Sequence, residues 1–147
     1  MPKKQIVVAV SGGFDPLHVG HVRLMQEAKK LGDKLVVILN NDNWLRKKKG
    51  YVFMAQEERK EIIEALSCVD AVVITKHSKN PADMSVCAEL VRLNPDIFAN
   101  GGDRTPATSV SKENLLCKKM GCKAVFSVGQ GGKVQSSSWL VDKARGK

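Results

Sequence analysis

Ile6-Val7-Val8-Ala9-Val10 runs directly into Ser11-Gly12-Gly13-Phe14-Asp15-Pro16-Leu17-His18-Val19-Gly20-His21, and this junction decides the fold. An unbroken apolar run rich in β-branched residues predicts a strand buried on both faces, and the glycines and proline that follow end it. Similar runs recur at Leu35 to Leu39, Val69 to Ile74, Asp96 to Ala99 and Ala124 to Val128. Helical spacing fills the gaps between them. Leu24, Met25, Ala28 and Leu31 mark a first helix with Gly32 as its C-terminal cap. Ile62, Ile63, Ala65 and Leu66 mark a second, and Val86, Leu90, Val91 and Leu93 a third, stopped before Pro95. A fourth runs from about Ser111 to Met120 and closes at Gly121, and a fifth leads from about Ser136 into the basic tail.

Strands alternating with helices predict a Rossmann-like, doubly wound, five-stranded parallel sheet with helices on both faces. Its ligand crevice is expected at the carboxyl ends of the strands. Residues 1–147 read as a single domain, with no internal repeat and no linker.

No apolar run approaches the roughly 20 residues that cross a bilayer, and the N-terminal segment does not read as a signal peptide. Cys68, Cys87, Cys117 and Cys122 lie in or beside apolar segments without C-x-x-C pairing, which reads as reduced core thiols in a cytoplasmic protein. A net charge of +9 predicts a surface that attracts anions, whether nucleic acid, acidic lipid or small phosphates. Aromatic content of 5% leaves little material for base-stacking platforms, which argues against a specific nucleic-acid partner.

The loop after the first strand carries the chemistry. Gly12 and Gly13 let the backbone come close to a polyphosphate, and the next helix aims its amides at it. His18 and His21, three residues apart at a helix start, point to one side, where each ring can donate a hydrogen bond to a phosphate oxygen. Plain capping of the helix by the two imidazoles is the alternative. Asn100-Gly101-Gly102-Asp103 follows the fourth strand, also at the crevice, and reads equally as a Gly-rich turn capped by Asp103. Ser136, Ser137 and Ser138 open the last helix, where hydroxyls and amides suit an anion and one serine alone would serve as an N-cap.

Gly-Phe-Asp followed by His-x-Gly-His at this spacing resembles the cytidylyltransferase-like nucleotidyltransferases, in particular the glycerol-3-phosphate cytidylyltransferases and heptose-1-phosphate adenylyltransferase domains. The resemblance continues through Ala28-Lys29-Lys30-Leu31-Gly32-Asp33, Asn40-Asn41-Asp42, Lys49-Gly50, Glu57, Arg59, Cys68-Val69-Asp70, Pro95-Asp96-Ile97-Phe98 and Gly101-Gly102-Asp103. It implies that Gly12, Gly13, Phe14, Asp15 and Gly20 surround the triphosphate and that His18 and His21 bind its phosphates. It also implies that Gly102 and Asp103 help hold base or ribose, and that Ser136, Ser137 and Ser138 meet the phosphates. A lysine after the second strand would bridge the two reacting phosphates. The run Arg46-Lys47-Lys48-Lys49, read as a loop, offers Lys48 and Lys49 for that role, with Arg46 beside the nucleotide and a solvated basic loop as the alternative. Some members carry an arginine shortly before the serine signature; here Gly131 stands in that position and Lys133 lies two residues later.

The expected reaction moves NMP from ATP or CTP to a phosphorylated small molecule and releases pyrophosphate. Mg²⁺ accompanies the triphosphate, with Asp15 a candidate contact through water and plain stabilisation of the loop by Asp15 as the alternative. The sequence leaves the base, the acceptor and the choice between monomer and homodimer open. A non-catalytic nucleotide sensor or RNA-binding module on the same fold is the competing expectation.

Overall fold

The computed structural model describes residues 4–101, 112–128 and 137–146. The elements follow as β1 (Val7–Gly12), α1 (Val19–Lys29), β2 (Lys34–Leu39), α2 (Asp42–Lys49), α3 (Gln56–Glu64), β3 (Ala71–Ile74), α4 (Cys87–Leu93), β4 (Ile97–Gly101), α5 (Lys112–Met120), β5 (Lys123–Val128) and α6 (Ser137–Ala144). All neighbouring strands pair in parallel, in the order β3-β2-β1-β4-β5.

Strand periodicity divides the core between two faces. Val8 and Val10 of β1 join Leu35, Val37 and Leu39 of β2 against Met25 and Ala28 of α1 and Ile63 of α3. Ala9, Ile38 and Phe98 face the other way, against Leu90 of α4 and Cys117 of α5. The doubly wound architecture expected from the sequence is therefore present. The chain leaves β1 toward β2 and β3 on one side and returns to β4 and β5 on the other, so its topological switch point lies between β1 and β4.

Two expectations need correction. The basic run after β2 is the last turn of a helix, not a loop. Asn41 caps α2 by accepting from the amide of Trp44 at 3.0 Å, and Gly50 closes it in the left-handed region at φ 84°. Arg46, Lys47, Lys48 and Lys49 sit at the negative end of its dipole. With only Leu45 buried, the eight-residue helix leaves no repeating apolar stripe to announce it. Gly32, in turn, is not a left-handed cap. A Cβ there would lie 2.7 Å from the carbonyl oxygen of Ile6 and 2.8 Å from Val8 Cγ2, so glycine allows the chain to pass close beside the start of β1. Gly121, at φ 79°, is the left-handed residue that follows α5 as expected.

Candidate active site

A crevice of about 190 Å³ opens at the switch point, between the carboxyl ends of β1 and β4, where Ser11, Gly12, Gly13, His21, Phe98 and Asn100 contribute to its wall. Phe14, at φ 50°, turns its ring back over the end of β1. A Cβ on Gly12 would lie 2.9 Å from that ring, and one on Gly13 would lie 2.8 Å from Leu45 Cδ2. Close packing of Phe14 and α2 against the loop is thus a reason for both glycines, beyond the approach of a polyphosphate.

The histidines are coupled at the start of α1. His18 is the N-cap, and its Nδ1 accepts from the amide of Gly20 at 3.1 Å, while Nδ1 of His21 accepts from the amide of His18 at 3.3 Å. Capping and facing one way are therefore compatible: the rings stack with centroids 3.7 Å apart and planes 23° apart. An accepting nitrogen carries no proton, so each neutral ring carries its hydrogen on Nε2. The amides of His18 and Gly20 are occupied by the rings, so ring N–H groups are among the donors this helix start offers an anion.

His21 also packs edge-on against Phe14, with centroids 4.9 Å apart. Burial, reinforced by His18 and by the Lys49 cation, lowers its pKa to about 3. At neutral pH His21 is an uncharged donor, and its alignment does not depend on a counterion.

Asp15 and Arg59, both fully buried, assemble the rest of the site. The Asp15 carboxylate accepts from the amides of Phe53 and Met54, each at 2.6 Å, and holds the segment after α2 beneath the β1 loop. Lys49 Nζ donates to the backbone oxygen of Asp15 at 2.9 Å. Burial lowers the Lys49 pKa, with Asp15 opposing and Arg59 adding to the effect. Arg59 donates to the carbonyls of Gly13 (2.6 Å), Asn40 (2.7 Å) and Met54 (2.9 Å) and to the Asp42 carboxylate (2.7 Å). One guanidinium thereby fastens the ends of β1 and β2 to α2 and α3.

Gly12, Gly13, Phe14, Asp15, Gly20, His18, His21 and Lys49 thus come together. Lys48 and Arg46 are exposed on α2, and Arg46 lines a separate cleft. Gly102, Asp103 and Ser136 lie outside the described residues, as do Gly131 and Lys133; Ser137 and Ser138 form the first turn of α6.

Sequence reasoning missed the organising part of Arg59. Its signal was a cation at i−4 from Ile63, within the apolar stripe of α3. Asn40 and Asn100, the latter opening the loop expected at the crevice, are buried, and their side-chain carbonyl oxygens have no hydrogen-bond partner among the described residues. Among those residues no three His, Cys, Asp or Glu side chains come together as a metal cage, and no helix is long and apolar enough to cross a membrane.

Residues 9–126 match the family model described as cytidylyltransferase-like. The chain is similar to the bifunctional protein HldE of Syntrophotalea carbinolica, with 44% identity over 110 residues, covering 73% of this chain and 21% of that protein. It therefore spans about a fifth of the length of those bifunctional relatives. It is also 39% identical over 125 residues to the FAD synthase of Thermococcus sibiricus, covering 84% of this chain and 80% of the relative. Among solved structures, a lipopolysaccharide core biosynthesis protein from Thermoplasma volcanium superposes with a TM-score of 0.69 at 28% identity, covering 86% of this chain and 98% of that one.

Proposed function

The chain belongs to the cytidylyltransferase-like family, and from that membership we propose that it is a nucleotidyltransferase that joins the NMP of ATP or CTP to a phosphorylated small molecule. The observation that carries this reading is the convergence of the stacked His18 and His21 rings and the Lys49 ammonium beside the loop that follows β1. Neutral imidazole N–H groups and one cation are suited to stabilising charge on phosphates without a covalent intermediate.

In the proposed reaction a phosphate oxygen of the acceptor attacks the α-phosphorus in line. The α–β bridging bond breaks and pyrophosphate leaves with the bridging oxygen. An acceptor phosphate is already ionised at neutral pH, so no general base is required. His18 and His21 donate to the triphosphate, and Lys49 holds acceptor and donor phosphates together against their repulsion. Asp15 and Arg59 keep these groups in register. Mg²⁺ arrives with the NTP as part of the substrate, carried by the phosphates. The buried carbonyl of Asn100, in the crevice wall, suits a hydroxyl or amino donor of the nucleoside. Phe14, Gly12, Gly13 and Gly20 shape the triphosphate side, and Gly102, Asp103, Ser136, Ser137 and Ser138 complete the proposed nucleotide contacts.

The proposed setting is cytoplasmic. Sugar phosphates and alditol phosphates are the favoured acceptors, and similarity to a protein named FAD synthase supports including flavin mononucleotide. A pyrophosphate-release assay crossing the four common NTPs with these acceptors tests the proposal. Release that needs both one NTP and one acceptor is expected; saturable NTP binding without any release would favour the nucleotide-sensor reading.

A further inference from the structure

A second cleft, of about 630 Å³, lies on the outward face of α2, lined by Asn43, Arg46, Lys47, Lys79 and Asn80. Asn43, Arg46 and Lys47 follow the i, i+3, i+4 spacing that gives one face of a helix. The facing wall belongs to the segment after β3, whose turn includes Asn80 at φ 47°. That segment is fastened to α2 at several points. Asn41 and Asn43 both donate to the carbonyl of His77 at 2.9 Å, Trp44 donates to that of Met84 at 2.8 Å, and Lys47 donates to that of Pro81. The cleft is therefore a built feature. Its lining holds three cations and two amides and no carboxylate, and neither Arg46 nor Lys79 is ion-paired among the described residues.

Its position adds the second argument. Arg46 precedes Lys49 by three residues, so the cleft begins about one helical turn, or ~4.5 Å of rise, from the lysine assigned to the reacting phosphates. Both the cleft wall after β3 and α2 itself follow the carboxyl ends of strands, on the edge where the crevice opens. Arg46 and Lys49 are i, i+3 neighbours on α2, so a molecule whose phosphate meets Lys49 has the cleft beside it along the same helix.

We infer that the cleft holds a second anionic group of the acceptor, so that, within the sugar-phosphate and alditol-phosphate class, a member that also carries a carboxylate or second phosphate a few atoms from the reacting one is preferred to its neutral-tailed counterpart. The inference rests on the proposed nucleotidyl transfer for its reaction and on the cleft alone for its specificity. Arg46 and Lys79 supply charge-assisted hydrogen bonds to the second anion, and Asn43 and Asn80 supply neutral donors. An acceptor with a neutral tail leaves those cations facing water and gains nothing from them.

Glycerol-3-phosphate and 3-phosphoglycerate form a matched pair, sharing a carbon skeleton and differing in a hydroxymethyl against a carboxylate. Calorimetry on the full chain is expected to show 3-phosphoglycerate binding at least about tenfold more tightly. Lys79→Met, and separately Arg46→Met, should shrink that preference to less than about threefold, whereas Lys118→Met and Lys119→Met on α5 should leave it intact. The wild-type comparison needs no variant and stands even if one fails to fold. Equal affinities for the two compounds, or a preference that survives both cleft substitutions, overturns the inference. So does displacement of 3-phosphoglycerate by a random oligonucleotide at physiological salt, which would assign the cleft to nucleic acid. Acceptor-dependent pyrophosphate release, measured in parallel, separates the two ideas. A preference without release sinks the reaction and leaves the anion cleft, and release without a preference sinks the cleft alone.

Discussion

The ammonium of Lys49, at the last residue of α2, is held 2.9 Å from the backbone oxygen of Asp15, whose carboxylate secures the amides of Phe53 and Met54. The lysine is thus aimed by the same residue that fixes the chain just beyond it. Lys48, its exposed neighbour on the helix, has no such partner among the described residues. Lys49→Met is therefore expected to lower turnover by more than about tenfold while changing NTP affinity less, the mark of an interaction made chiefly in the transition state. Lys48→Met should stay within about threefold of wild type, as befits a solvated charge. Steady-state kinetics on the two variants side by side decide between them, and a loss confined to Lys48→Met would reverse the assignment.

Capping and catalysis can be separated at His18. His18→Ala removes both the N-cap and the imidazole, and should cost about 1 kcal/mol of stability together with about 10²–10³ in turnover. Asparagine is a good N-cap without a ring. His18→Asn should therefore recover most of the stability and little of the turnover. Recovery of both would reduce His18 to a helix cap.

The depressed pKa of His21 fixes a direction for acid sensitivity. Unfolded, the ring titrates near 6.5; folded, near 3, with burial as the main cause. Between those values the unfolded state binds the extra proton, so acidification favours unfolding. This group's share should be a fall of about 1.4 kcal/mol per pH unit as pH drops through that window, with no contribution above about pH 7. His21→Gln should flatten the slope in denaturant titrations between pH 6 and 4. An unchanged slope would mean that the ring takes up its proton in the native state at an ordinary pH.

Losing Arg59 is expected to be costly. Arg59→Met would strand three carbonyls and the Asp42 carboxylate around an apolar chain and should destabilise the protein by about 3–5 kcal/mol. Chemical denaturation measures this directly. A cost below about 1 kcal/mol would show that water replaces the guanidinium without difficulty.

The parts of this molecule that were legible beforehand are those where a single stretch of chain carries its own signal. The five strands could be read because burial on both faces forces continuous apolar runs such as Leu35 to Leu39, and the loop from Gly12 to His21 because its glycines and histidines sit at one junction. What could not be read depends on partners distant in sequence. Helix α2 buries Leu45 alone, so only its caps, Asn41 and Gly50, marked it. Arg59 looks like an ordinary helix-surface cation until its acceptors at Gly13 and Asn40, 46 and 19 residues away, are in view. The run from Arg46 to Lys49 is divided by helical geometry, with Lys49 turned toward Asp15 and Arg46 and Lys47 toward the second cleft, a distinction that residue type alone does not carry.

The central claim is that an acceptor phosphate oxygen attacks the α-phosphorus of an NTP in this crevice. The most direct measurement is ³¹P NMR of the reaction with an acceptor whose phosphate oxygens are labelled with ¹⁸O. The account predicts a new P–O–P linkage whose bridging oxygen carries the label, formed one for one with unlabelled pyrophosphate. Label in the pyrophosphate, or release of NMP from the NTP with no P–O–P product for any acceptor, would contradict it.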